Sequence, residues 1–151
     1  MAMRPFGPKA HGVADWVFMA AQIVVPRLLG LSPRARLIAT AFGAVTGVVN
    51  SLTRQPFGIK PVMSLRTHGK LETPLIPAMV AVPLIAGVLG DRRARRYFLP
   101  VFAIACVNYL LTDYNAGSRR KNSAKGKKAR QIVSGVVERN PHHTLAASRS
   151  R

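Results

Sequence analysis

Apolar residues fall in four runs separated by polar breaks. Residues 13–31 are interrupted only by Asp15, Gln22 and Arg27, and residues 37–53 carry no charge. Residues 71–90 carry Glu72 alone, and residues 97–112 are again uncharged. A bilayer core about 30 Å thick takes roughly 17–25 apolar residues per helix, and these runs sit at the short end of that range. None shows a period-two alternation or a clean polar face at helical spacing, so burial on all sides is expected. The pattern predicts an all-α chain with four transmembrane helices. A soluble bundle of very apolar helices is the competing reading, but four such runs in 151 residues leave little amphipathic surface to face water.

The runs come in two similar pairs. His11-Gly12-Val13-Ala14-Asp15 opens a run that reaches Pro26, and His68-Gly69-Lys70-Leu71-Glu72 opens one that reaches Pro83. The acid follows each His by four residues and the Pro follows each acid by eleven. Each of these runs is followed by a basic break and a second run, ending in Val49-Asn50 through Thr53 or in Val107-Asn108 through Thr112. Self-similarity at a fixed period marks a repeated structural unit. The expected organisation is a lead-in over 1–10, one helical hairpin over 11–53, a loop over 54–67, a second hairpin over 68–114 and a basic tail over 115–151. Pro26 and Pro83 predict a matched kink late in the first helix of each hairpin, which membrane helices tolerate. Gly43 and Gly47 form a small-x-x-x-small face suited to a close helix contact, within the bundle or between protomers.

Charge sharpens this picture. The chain holds 23 Lys+Arg against 5 Asp+Glu, and a balance so basic favours anionic partners. Arg119, Arg120, Lys121, Lys125, Lys127, Lys128 and Arg130 follow the last apolar run and are the candidate contacts to anionic lipid headgroups or an acidic partner. The Lys, Arg, Ser and Gly content of this tail predicts disorder in isolation. Four spans would put the N-terminus, the central loop and the tail on one side with the larger share of basic residues, which places both termini in the cytoplasm and the protein in a bacterial inner membrane. The single Cys106, in an apolar run, excludes an intramolecular disulfide.

Four spans also gather polar residues at one end of the bundle: His11, Asp15, His68 and Glu72, with Asn50, Thr53, Asn108, Thr112, Asp113 and Tyr114. Each His and its acid share a helix face at i,i+4 spacing. Two readings stand side by side. In one, each His precedes its helix near the headgroups and the acid sits in the first turn, where the dipole favours it, so the pairs cap the helices and tie them to the Asn and Thr residues of the second and fourth. In the other, the group shuttles protons, ligates a metal or binds a haem iron. No cofactor is favoured, and no nucleophile elbow, Walker loop, His-Glu-x-x-His or Cys-x-x-Cys is present.

The His-Gly-Val-Ala-Asp-Trp opening, the matched Pro, the Thr112-Asp113-Tyr114 end and the second His-led copy resemble small bacterial four-helix membrane proteins of the SPW-repeat type. The resemblance covers roughly residues 11–115. Val25-Pro26-Arg27 and Val82-Pro83-Leu84 stand where the Ser-Pro-Trp signature would be. It implies an integral membrane protein of tandem hairpins and assigns no activity. The leading functional expectation is a non-enzymatic scaffold or accessory subunit, alone, with a protein partner or as a homo-oligomer, whose tail engages anionic lipid or an acidic partner. The second is redox, ion or small-molecule binding at the His/carboxylate ring. The third, a soluble nucleic-acid binder, is disfavoured by the uncharged runs and by the lack of aromatic residues among the tail's basic ones.

Overall fold

The computed structural model describes residues 5–139 and is helical throughout, with no β-strand among the described residues. The chain divides into two compact units, Met1–Ala116 and Gly117–Arg151. The first holds α1 (Pro8–Leu28), α2 (Pro33–Leu52), α3 (Leu65–Ile85) and α4 (Arg92–Leu111), with one 3-10 turn (Val88–Gly90) before α4. Helix α5 (Ala116–Arg139) runs through the second.

Local sequence accounts for the boundaries. Pro8 and Pro33 stand in the first turns of α1 and α2, where a missing N–H costs nothing. Ser32, Ser64 and Asp91 cap α2, α3 and α4, each side chain accepting a backbone N–H of the first turn. The chain leaves α1 through Gly30 at φ 61° and leaves α3 through Gly87 at φ 69°, left-handed conformations that favour glycine. Pro26 and Pro83 are fully buried, and α1 and α3 run on past them to Leu28 and Ile85.

Two expectations change here. Helices α1 and α3 begin a turn earlier than the apolar pattern implied, at Pro8 and Leu65, so His11 and His68 lie inside helices and neither helix has an acid in its first turn. The pairs therefore do not cap the helices, since Gly7 and Ser64 hold the cap positions, but the expected ties to Asn and Thr residues of α2 and α4 are present. The tail, expected to be disordered, is helical over Ala116–Arg139. Its Lys, Arg, Gln and Ala content carries good helix propensity even where it offers no core.

Helix α1 packs chiefly on α2, and α3 on α4. In the first hairpin the contact is close because it uses glycine: a Cβ at Gly43 would lie 3.1 Å from the Met19 carbonyl oxygen, and one at Gly47 would lie 2.5 Å from the Met19 sulfur. At the hairpin-turn end, Leu31, Ala35, Ala39, Val88, Ala94, Tyr97 and Phe98 form an apolar core. At the opposite end, parallel β-bridges tie Phe6 to Thr112 and Met63 to Thr53. The segment entering each hairpin is thus pinned to the segment leaving the other, at the repeat-related residues Thr53 and Thr112.

The polarity of this unit is partly inverted relative to an ordinary globule, with polar side chains buried beside the apolar core. Its buried residues include His11, Asp15, Gln22, Asn50, Thr53, His68 and Thr112, while Val17, Leu28, Leu37, Leu84, Ile85, Ile104 and Leu110 are exposed. By length and mean hydropathy alone, α2 is the one helix among the described residues long and apolar enough to cross a membrane. The expected four spans are not all of that type. Asp15, Gln22 and Arg27 dilute α1, three prolines and a charged first turn dilute α3, and four arginines open α4.

Candidate functional site

The i,i+4 spacing of His11 with Asp15 on α1 and of His68 with Glu72 on α3 puts each pair on one helix face. The fold turns those two faces toward each other at the end opposite the hairpin turns. His11, His68 and Asp15 are 0%, 1% and 2% exposed. The two imidazoles meet edge to face, with their Nε2 atoms 3.1 Å apart. Asp15 Oδ2 lies 3.3 Å from both Nε2 atoms. Glu72 Oε1 lies 3.4 Å from Nε2 of His68 and 3.8 Å from that of His11. One ligating atom from each of the four residues lies within 4.8 Å of the others.

Every outward-facing atom of the four is held by a second residue. The Nδ1 of His11 lies 2.9 Å from Thr112 Oγ1, and the Nδ1 of His68 lies 2.7 Å from Thr53 Oγ1. Asn108 donates from Nδ2 to Asp15 Oδ1 at 3.2 Å, and the Tyr114 hydroxyl donates to Glu72 Oε2. Asn108 Nδ2 is also 3.5 Å from His11 Nδ1, a longer contact than the one to Asp15. Inward, Asp15 Oδ2 accepts no hydrogen bond at all. Burial and the neighbouring Glu72 carboxylate push the Tyr114 hydroxyl, beyond the end of α4, well above the ordinary tyrosine range.

The histidines cross over between hairpins: His11 of the first takes Thr112 of the second, and His68 of the second takes Thr53 of the first. Thr53 and Thr112 are the matched C-caps of α2 and α4, in near-identical extended conformations. The glycine after each His is what lets the site close. A Cβ at Gly69 would come 2.6 Å from the Tyr114 ring, and one at Gly12 would fall on the Gln55 carboxamide.

Of the residues singled out from sequence, His11, Asp15, His68, Glu72, Asn108 and Tyr114 converge. Asn50 stands one step back, donating to the Gly12 carbonyl and accepting from Gln55. Asp113 lies outside the cluster, in the turn after α4, where its N–H bonds to the Phe6 carbonyl and its carboxylate accepts the Asn115 N–H. Thr53 and Thr112, which end the repeated Val-Asn segments and belong to the expected polar ring, do meet the histidines, whereas Gln55 carries no sequence signal. Below the cluster, a cavity of about 70 Å³ is bounded by Asp15, Glu72 and Asn108 at one end and by Phe18, Ile76 and Met79 beyond. In α5, Arg119, Lys125, Lys127, Lys128 and Arg130 are exposed. No protein-family model, curated protein or solved structure matches this chain.

Proposed function

We propose that the four-helix unit is an integral membrane bundle whose function is to bind a cation at the His11/Asp15/His68/Glu72 centre. The observation that carries this is the placement of two carboxylates and two imidazoles together in the interior, one of each from either hairpin. A buried Asp15 and a half-buried Glu72 beside neutral imidazoles are a costly net charge unless a cation joins them. The membrane setting is supported by the inverted polarity and by length. Helices of 20 and 21 residues rise about 30 Å at about 1.5 Å per residue, the thickness of a bilayer core. Asp15 and Gln22, two of the polar residues that lower the hydropathy of α1, face inward and Arg27 is exposed near its C-terminal end, while Val13, Val17, Val24 and Leu28 face out. The resemblance to SPW-repeat proteins is part of the same proposal, as are an inner-membrane location and cytoplasmic termini.

Metal analysis of the detergent-purified chain tests the reading. Wild type is expected to retain a stoichiometric cation, and His11→Ala with His68→Ala to lose it while still inserting. A double variant that retains the cation would refute the site. A second activity is supported by α5, whose basic residues suit anionic headgroups and would make the protein a membrane-surface scaffold as well.

A further inference from the structure

Resting on the cation-binding reading above, we infer that the centre is a closed tetrahedral site for a divalent metal ion of the zinc class, and that this ion ties the two hairpins together.

The hydrogen-bond network assigns the imidazole tautomers. Thr112 donates its single hydroxyl proton to the Asn108 carbonyl at 2.6 Å, and Thr53 donates its own to the Val49 carbonyl at 2.6 Å. Toward the histidines each threonine oxygen is therefore an acceptor, and each neutral imidazole carries its proton on Nδ1. Both Nε2 atoms then present lone pairs, 3.1 Å apart, with two carboxylate oxygens beside them. Four lone-pair donors converge with no hydrogen among them. That is the arrangement in which metal-ligating histidines are found, their other N–H anchored by an outer partner.

The spacing fits one ion class. Tetrahedral zinc has bonds of about 2.0–2.1 Å to imidazole and carboxylate, which makes the ligand–ligand edges about 3.3–3.4 Å. The five edges that involve a histidine are 3.1, 3.3, 3.3, 3.4 and 3.8 Å, and all four ligand atoms lie within 4.8 Å of one another, so the two carboxylates have to draw in only slightly on the ion. Calcium and magnesium take six or more oxygen ligands, and copper(II) and nickel(II) favour tetragonal sets. Two carboxylates with two neutral imidazoles also carry two negative charges, which one divalent ion cancels. Protons serve less well. One on His68 Nε2, donated to Asp15 at 3.3 Å or to Glu72 at 3.4 Å, cancels only one of the two charges, and a second on His11 Nε2 would set a pair of imidazolium N–H groups against each other at 3.1 Å. Four protein ligands leave no open coordination position, which marks a structural site. With one His and one carboxylate from each hairpin, and with α1 packed mainly on α2 and α3 on α4, the ion is a crosslink between repeats.

The test uses the full chain in detergent, loaded with Zn²⁺ and separately with Co²⁺ as a spectroscopic probe. One ion per chain, the strong visible bands of tetrahedral Co²⁺ and their bleaching by Zn²⁺ are expected. Stoichiometric uptake with the faint colour of octahedral Co²⁺ would overturn the tetrahedral site and leave cation binding intact; failure to take up any cation would overturn both. Thr53→Val and Thr112→Val keep the side-chain shape but remove the acceptor, and each is expected to weaken Zn²⁺ binding about 10–100-fold, with Thr53→Ser restoring it. Unchanged affinity in helical, folded valine variants would overturn the tautomer assignment. Finally, chelation is expected to lower the melting temperature of wild type and to leave that of a His11→Gln, His68→Gln variant unmoved. Identical melts of wild type with and without chelator would overturn the crosslink.

Discussion

A single methyl group is enough to test how the site is closed. Gly69 stands against the Tyr114 ring, while Gly90 has nothing within 4 Å of where its Cβ would be. Gly69→Ala is expected to displace Tyr114 from Glu72 and cost about 1–3 kcal/mol by overpacking, with Gly90→Ala as the near-neutral control, both read by denaturation in detergent. Tyr114 adds a pH signature. Its folded ionisation is pushed up by burial and by Glu72, so its contribution is fully present below the unfolded tyrosine value of about 10. That contribution is lost as pH rises from there toward the raised folded value, because the unfolded chain releases a proton the folded chain keeps. Wild type should therefore lose thermal stability more steeply above about pH 10 than Tyr114→Phe does; parallel pH profiles would contradict the assignment.

At the scale of elements, the two hairpins are matched but not equivalent. Gly43 and Gly47 bring α2 against Met19 of α1, a contact that α4 does not copy because Val101 and Ala105 stand at the corresponding positions. Gly47→Val is expected to force that contact apart and cost about 1–3 kcal/mol, measurable as a lowered denaturation midpoint, whereas Cys106→Ala on α4 should change little. Helix α5 is a different kind of element, stabilised by propensity and not by a core. A peptide of residues 116–139 should bind anionic vesicles at low salt and release at high salt, since each basic residue near an anionic leaflet contributes about 1 kcal/mol. Equal binding to neutral vesicles would remove lipid electrostatics as its role.

For the whole molecule, the arrangement of apolar exterior and ionic interior carries a topological prediction. In a Cys106→Ala background, Arg34→Cys and Arg93→Cys lie in exposed positions at the hairpin-turn end, and Ile59→Cys is exposed at the other. An impermeant thiol reagent applied to intact cells should label the first two and spare Ile59→Cys and Lys125→Cys. Labelling of Lys125→Cys from outside would reverse the orientation, and equal labelling of Arg34→Cys and Ile59→Cys would rule out hairpins that cross the bilayer. The protein is also expected to stay in the pellet after alkaline carbonate extraction.

Helix count in the first unit, the pairing of helices into hairpins and the repeat that relates His11 to His68 were all determined by the sequence, because local periodicity, capping residues and glycine punctuation are short-range signals. The i,i+4 spacing likewise settled that each His shares a face with its own acid. The helix starts were misplaced by a turn because polar residues at the buried centre resembled a headgroup boundary, and basic residues in the tail read as disorder although they favour helix. What only the tertiary structure decided is which residues meet across the hairpins. The crossing of His11 to Thr112 and of His68 to Thr53 depends on residues far apart in the chain. So does the facing of two Nε2 atoms at one point. No local pattern encodes those contacts; they follow from the packing of two hairpins, and with them comes the difference between a pair of helix caps and a centre built for an ion.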